Sequence, residues 1–256
     1  AGALATTSFP IDRQLTAQLL GFDGLVENSI DAVSTRDFIL ESLSALSILA
    51  CNISRLVEDL ILWSSTEFGM VEVADEYAST SSIMPQKKNP DTLELARAKT
   101  GRIYGDLMAA VTMLKALPLT YNRDLQELTP RLWDGVDEVE STLRVLQGVI
   151  SSLKAKRDVM ISRVRESYAT ATELADTLVR EKHLPFRTAH MLVGALVREA
   201  LNKGIKPSQV KAETLDRIAQ TLIGRAIGLS DAEVAEALSP VEFIRKRKIT
   251  GGPNPN

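Results

Sequence analysis

The chain has 256 residues and a formal charge of −3, from 30 Lys and Arg against 33 Asp and Glu. Its 45% hydrophobic and 25% charged residues are typical of a globular protein, which excludes a disordered chain, a collagen-like chain and a small disulfide scaffold. The near-neutral charge and the lack of an apolar run of ~18 residues predict neither nucleic-acid binding nor membrane insertion.

Three segments share an apolar rhythm of alternating three- and four-residue steps, sustained for about three heptads each. The pattern predicts three long helices packed side by side, over 35–65, after Pro90 and after Pro130. The apolar positions are Ile39, Leu43, Leu46, Ala50, Ile53, Val57 and Leu60, then Leu93, Ala96, Thr100, Ile103, Leu107, Ala110 and Leu114, then Leu132, Val136, Val139, Leu143, Leu146, Ile150 and Leu153.

The first of these helices carries a second apolar face, formed by Leu49, Leu56 and Trp63. One layer of three helices would leave that face in water, so we expect copies of the same chain to cover it. Gly101 and Gly105 form a strip of small residues that permits close helix packing. The single cysteine, Cys51, is expected to be a buried thiol, and its lack of a partner favours the reducing cytoplasm.

The connections predict two domains. Residues 1–153 are expected to form the central long-helix bundle, with a long loop over 68–90 and an irregular stretch over 119–127. Residues 154–256 are expected to form a smaller helical domain, since proline and glycine interrupt its shorter patterns. Its predicted helices are 158–166, 171–181, 186–203, 209–222 and 231–237.

The chain contains two histidines, His183 and His190, and neither has a ligand partner at metal-binding spacing. It also has no phosphate-binding or dinucleotide-binding glycine motif. We therefore expect no metal and no cofactor.

The informative stretch is the end of the long loop, which has the sequence SSIMPQKKNPD at residues 81–91. Asn89 and Pro90 predict a capped helix start, whose free N–H groups and positive end would face the loop. The lysines 87 and 88 add to that field, which suits a carboxylate or phosphate ligand. A flexible surface loop before a capped helix remains the alternative.

The same stretch, followed by Glu94, resembles the signature loop of the fumarase–aspartase superfamily of lyases. Its QKKNPD wording is similar to the argininosuccinate lyase branch, to which delta-crystallin belongs, more than to fumarase or adenylosuccinate lyase. Further similar segments are FPIDR at 9–13, YNRDLQE at 121–127, YATATELA at 168–175 and LPFR at 184–187.

The resemblance implies an all-α fold, with a long-helix bundle and a small helical C-terminal domain. It implies a homotetramer whose sites are shared between subunits. The activity implied is cleavage of argininosuccinate into arginine and fumarate, a C–N elimination through an aci-carboxylate, in arginine biosynthesis. Fixed positive charge and oriented donors suit such an intermediate.

The resemblance also implies roles for individual residues. Ser81 would be the general base, and Lys87 and Asn89 would stabilise the developing charge, whereas Lys88 is expected to be a solvated charge. Glu94 would orient a histidine from another subunit, or would only complement the helix dipole. The residues expected to bind substrate are Tyr121, Gln126, Ser82 and Met84; Tyr121 could instead cap the bundle.

Two departures from the family pattern concern the site. Thr80 stands where glycine usually precedes the serine pair, and Leu128 and Thr129 stand where the family often has Asp and Lys. Family chains also carry an N-terminal region before the segment at Ala1, so the chain is expected to be N-terminally truncated. The alternatives are a non-catalytic helical oligomerisation module, a crystallin-like relative, or a lyase for another substrate such as adenylosuccinate.

Overall fold

The computed structural model describes residues 2–84 and 86–255; Pro85 of the signature loop lies outside the described residues. The chain divides into two compact units, Ala1–Ala155 and Lys156–Asn256, and each is described by itself. The expected all-α fold is confirmed, because the strands of the described residues are two residues long.

Three long helices build the first unit. They are α3 (Asp37–Ser64), α4 (Asp91–Leu114) and α5 (Leu125–Ser152), and each packs against the other two. At 1.5 Å per residue the 28-residue α3 is about 42 Å long. Two short helices, α1 (Arg13–Leu20) and α2 (Ser29–Ser34), precede them. The long-helix bundle predicted from the heptad rhythm is therefore confirmed.

The bundle core consists of clusters that follow one another along the helices. At one end, Leu93 and Ala96 of α4 pack with residues late in α3 and α5, including Val57 and Val149. At the other end, Ala110 of α4 packs with residues early in α3 and α5, including Leu43 and Leu128. Between them lies a cluster of Ala50, Ile103 and Val139. Helix α4 therefore runs antiparallel to both α3 and α5.

The predicted stripes of α3 and α4 face the core, but the stripe of α5 is partly wrong. Its predicted members Val136, Leu143 and Ile150 are exposed. The buried residues of α5 are instead Leu125, Leu128, Gly135, Glu138, Val139, Thr142, Leu146 and Val149. A period count could not find this face, because three of these eight residues, Gly135, Glu138 and Thr142, are polar or glycine.

Two contacts explain why such residues can be buried in α5. Glu138 forms ion pairs with Lys99 and Arg102 of α4. Its carboxylate is therefore paired with two cations even though it is buried away from water. Gly135 lies against Leu43 of α3, where a Cβ atom would come within 2.9 Å of a Leu43 methyl group. A larger residue would separate α5 from α3.

The start of α5 is also earlier than predicted. The helix begins at Leu125, so Pro130 lies inside it and the predicted irregular stretch ends sooner. The N–H groups of Leu125, Gln126 and Glu127 donate to carbonyl oxygens three residues earlier, at 3.0–3.1 Å. This tight first turn starts the helix before the proline, which then removes the one N–H that would reach the Gln126 carbonyl.

Cys51 was expected to be buried, and it is exposed. It follows Ala50, which belongs to the buried stripe, and so it lies about 100° around the helix from that stripe. Burial raises the pKa of the Tyr104 phenol, and the neighbouring Cys51 thiol raises it further.

Short strands organise the connection between α3 and α4. Strand β1 (Val71–Glu72) pairs antiparallel with β4 (Lys154–Ala155), which follows α5. A 3₁₀ turn spans Asp75–Tyr77. Strand β2 (Ser79–Thr80) then pairs with β3 (Lys88–Asn89) to form a hairpin. Pairing with β4 anchors the start of the predicted loop on the bundle.

The second unit is helical and has one large apolar cluster, in which Leu178, Leu192 and Leu215 are fully buried. Helices α8 and α10 closely match their predicted bounds. The helices are α6 (Arg157–Glu166), α7 (Ala171–Lys182), α8 (Phe186–Asn202), α9 (Ala212–Ile223), α10 (Asp231–Ala237) and α11 (Pro240–Lys246). In the described part of the chain, no helix is long and apolar enough to span a membrane.

Candidate active site

The hairpin of β2 and β3 carries the serine pair and the lysines of the signature loop. Ser79 is paired with Asn89 and Thr80 with Lys88. The pairing continues one step further, since the Ser81 N–H donates to the Lys87 carbonyl at 3.2 Å. The backbone at the base of the loop is therefore fixed by hydrogen bonds.

The Ser81 hydroxyl lies at the centre of a small group of donors. Its Oγ accepts hydrogen bonds from the backbone N–H groups of Ile83 and Met84, at 3.2 and 3.1 Å. The Met84 carbonyl in turn accepts from the Lys87 N–H at 2.9 Å. Two donors directed at one oxygen favour negative charge on it, so this geometry suits an ionised serine.

The strand register separates the two lysines. Side chains alternate between the faces of a hairpin, so Ser81, Lys87 and Asn89 share one face and Thr80 and Lys88 share the other. Three of the four residues to which a catalytic role was given are thus brought together. Thr80, where the family usually has glycine, lies in β2 on the opposite face.

Lys88 is exposed, as expected of a solvated charge, but it also has an acidic partner. Its Nζ lies 2.5 Å from Asp75 Oδ1 and 3.8 Å from Glu72 Oε1. The hydrogen bond from Lys88 lowers the pKa of the Asp75 carboxyl, and the lysine charge lowers it further. Lys88 therefore ties β3 to the turn before β2. The sequence contained the acidic residues but no sign of which lysine they would pair with.

The entrance of α4 differs from the prediction at one position. The expected N-cap Asn89 belongs to β3, and the helix begins at Asp91 with Pro90 in the cap position. The Pro90 carbonyl accepts from the N–H groups of Leu93 and Glu94, at 3.0 and 3.1 Å. Asn89 therefore lies one position before the cap, and among the described residues no side-chain hydrogen bond caps α4. Glu94 is exposed in the first turn of α4, where its charge complements the positive end of the helix.

The other predicted substrate contacts form a second group. Gln126 Nε2 donates to the Tyr121 hydroxyl at 2.7 Å, and both side chains are exposed. Tyr121 lies just before α5 and Gln126 lies in its first turn, whereas Ser81 lies before α4. Because α4 has 24 residues, the two groups are separated by about 36 Å of helix. One copy of the chain does not bring them together.

The loop face is open in this chain. Ser82, Ile83, Met84 and Lys87 are exposed, with 87% of Ile83 accessible. At the other group, Leu128 is fully buried in the bundle core and Thr129 is half-buried, so the departures from the family pattern put no cation there. A ligand held by either group alone would remain largely in water.

Two known protein families match parts of this chain. A family profile described as "Lyase" matches residues 1–105, and one described as "Argininosuccinate lyase C-terminal" matches residues 168–245. Argininosuccinate lyase of Methanothermobacter thermautotrophicus is 51% identical over 253 residues, covering 99% of this chain and 54% of that protein. The enzyme of Methanocaldococcus jannaschii is 48% identical over 254 residues, covering 99% and 51%. The chain belongs to the argininosuccinate lyase family.

Solved structures agree with this assignment. EDDS lyase in complex with formate superposes with a TM-score of 0.86 at 34% identity, over 99% of this chain and 50% of that one. Class II fumarase from Schistosoma mansoni has a TM-score of 0.67 at 20% identity, over 90% and 46%, and supports the fold alone. The chain spans about half the length of the argininosuccinate lyases that it matches.

Proposed function

We propose that the chain forms part of an argininosuccinate lyase, which cleaves argininosuccinate into arginine and fumarate in arginine biosynthesis in the cytoplasm. The family membership supports the reaction class. The observation that carries the proposal is the pair of N–H groups that donate to Ser81 Oγ. Two N–H donors directed at one hydroxyl oxygen are the arrangement that would stabilise the ionised form of this serine.

The reaction requires removal of a weakly acidic proton from a carbon next to a carboxylate. In the proposal, ionised Ser81 takes that proton, and the electron pair left on carbon moves into the carboxylate to give a dianionic aci-carboxylate. The pair then returns to form the double bond of fumarate, and the C–N bond breaks. The departing nitrogen gains a proton and leaves as the guanidino group of arginine.

Each site residue of the hairpin has a role in this scheme. The N–H groups of Ile83 and Met84 stabilise the Ser81 alkoxide, and the Lys87 ammonium stabilises the growing charge on the substrate. Asn89 contributes a neutral donor on the same face, and Ser82 and Met84 contact the substrate. Since the two N–H groups are already directed at Ser81 Oγ, they need little reorganisation when charge develops on it.

The remaining contacts come from other copies. Tyr121 and Gln126 hold substrate at a site whose Ser81 belongs to a different chain, since about 36 Å of α4 separates them within one chain. Glu94 orients a histidine supplied by another subunit. The exposed apolar side chains of α3, Leu49, Leu56 and Trp63, supply the surface on which a homotetramer assembles.

The test is release of fumarate from argininosuccinate, measured for this chain alone and for the chain joined to the further half that its relatives possess. We expect turnover in the joined form and none with adenylosuccinate. Turnover of adenylosuccinate in its place would contradict the substrate assignment. A well-folded oligomer without turnover in either form would favour the alternative of a non-catalytic helical module.

A further inference from the structure

The 3₁₀ turn at Asp75–Tyr77 is hydrogen-bonded to two of the elements that form the candidate site, β3 and α4, and leads into β2. From β3, Lys88 Nζ bonds Asp75 Oδ1 at 2.5 Å. From α4, Thr92 Oγ1 donates to the Tyr77 carbonyl at 2.6 Å. The turn is followed at once by Ala78 and then by β2, which leads to Ser81. The position of the turn therefore sets where the serine hairpin begins.

Tyr77 anchors this turn on α5. Its side chain packs against the apolar cluster at this end of the bundle. Its ring lies on the backbone of α5 at Gly148, where a Cβ atom would come within 2.0 Å of the Tyr77 hydroxyl oxygen and 2.4 Å of Cζ. The ring can take this position only because residue 148 has no side chain. The fit is thus specific to one tyrosine and one glycine.

We propose that Tyr77 is a positioning residue for Ser81: seated on Gly148, it fixes the serine hairpin against the first turn of α4. Through its carbonyl the same residue holds Thr92, which lies in the first turn of α4 together with Asp91 and Glu94. This proposal rests on the proposed function, in which the hairpin carries the catalytic serine. It assigns no chemical step to Tyr77, which lies outside the donor group around Ser81.

Gly148→Ala is the direct test, and Gly194→Ala is its control. A methyl group at 148 must displace the Tyr77 ring, whereas residue 194, also inside a helix, has open space around it. We expect hydrogen exchange at the Ser81 N–H of the 256-residue chain to accelerate about tenfold or more in Gly148→Ala, by local opening. The buried amides of Val57 and Ile103 should keep their protection, and Gly194→Ala should change neither.

Tyr77→Leu provides a second route that adds no volume to α5. It removes the ring that rests on Gly148, so the same local acceleration at Ser81 is expected. Tyr77→Phe keeps the ring and should leave exchange near the wild-type rate. Equal loss of protection at all amides in Gly148→Ala would mean a general loss of stability and would overturn the proposal. Unchanged exchange at Ser81 in Tyr77→Leu would overturn it as well.

An activity measurement separates this proposal from the proposed function. In a form of the protein that turns over argininosuccinate, Gly148→Ala should lower kcat about tenfold with little change in KM, since Ser81 acts in the transition state. An equal change in KM with kcat kept would contradict a positioning role. Local loosening at Ser81 in a protein that has no lyase activity would leave the positioning role standing and would count against the lyase assignment.

Discussion

Two defective chains should restore each other's activity if the active site is shared between copies. The two changes are Ser81→Ala in one chain and Gln126→Ala in another. Within one chain these residues lie at opposite ends of α4, whose 24 residues extend about 36 Å. That distance is about twelve times the ~3 Å of a hydrogen bond, so one small substrate cannot contact both residues of the same copy.

The size of the effect follows from counting. In an equal mixture, half of the copies supply an intact Ser81 and half supply an intact Gln126. If each site takes these residues from different copies of a symmetric oligomer, about a quarter of the sites will contain both. We expect each single variant to be nearly inactive and the mixed oligomer, formed by refolding the two together, to release fumarate at about a quarter of the wild-type rate.

The control is a mixture of Ser81→Ala with Lys87→Ala. Both residues belong to the same hairpin face, so each site receives both from one copy, and every site of the mixture carries one defect. No recovery is expected. The reasoning would be refuted if the Ser81 and Gln126 variants, shown to form mixed oligomers, released fumarate no faster than the sum of the separate variants.

Three further predictions follow from charged side chains. Lys87→Met should lower kcat/KM by ~100-fold or more, whereas Lys88→Met, which breaks an exposed ion pair with Asp75, should change stability little and cost far less activity. In the second unit, Glu173 is 1% exposed; burial alone would raise its pKa, but hydrogen bonds from two arginines outweigh this and lower it. Glu173→Gln should therefore reduce the free energy of unfolding by about 2 kcal/mol at pH 7, measured by urea titration. Hydrogen bonds from neighbouring cations lower the pKa of Glu199 to about 2, so its stabilising effect is complete above about pH 4.5 and is lost as the pH falls toward 2; Glu199→Gln should remove that part of the acid dependence.

The heptad rhythm predicted much of the fold, because the buried faces of α3 and α4 consist mainly of aliphatic side chains. The same rhythm predicted the buried face of α5 only in part. Glu138 is buried there because Lys99 and Arg102 pair with it, and Gly135 because Leu43 needs the space. Both are properties of the neighbouring helix, which a one-dimensional period does not contain.

The candidate site shows the same division. The motif named the residues that share the hairpin face, although their catalytic roles stay a prediction. The motif could not show that Asn89 would belong to β3 and not cap α4, since an N-cap and a strand residue have similar extended backbones. It also gave no sign that Lys88 would pair with Asp75, or that Tyr77 would rest on Gly148. These contacts depend on a strand register and a helix approach that exist only in the folded chain.

The central claim is that Ser81 removes the proton, and Ser81→Ala tests it most directly. The measurement is the rate of fumarate release from argininosuccinate by the active form of the protein, with Ser79→Ala as the matched control. We predict a loss of ~10²- to 10⁴-fold in kcat for Ser81→Ala, with the oligomer intact and Ser79→Ala close to wild type. Activity of Ser81→Ala within tenfold of the wild type would contradict the account.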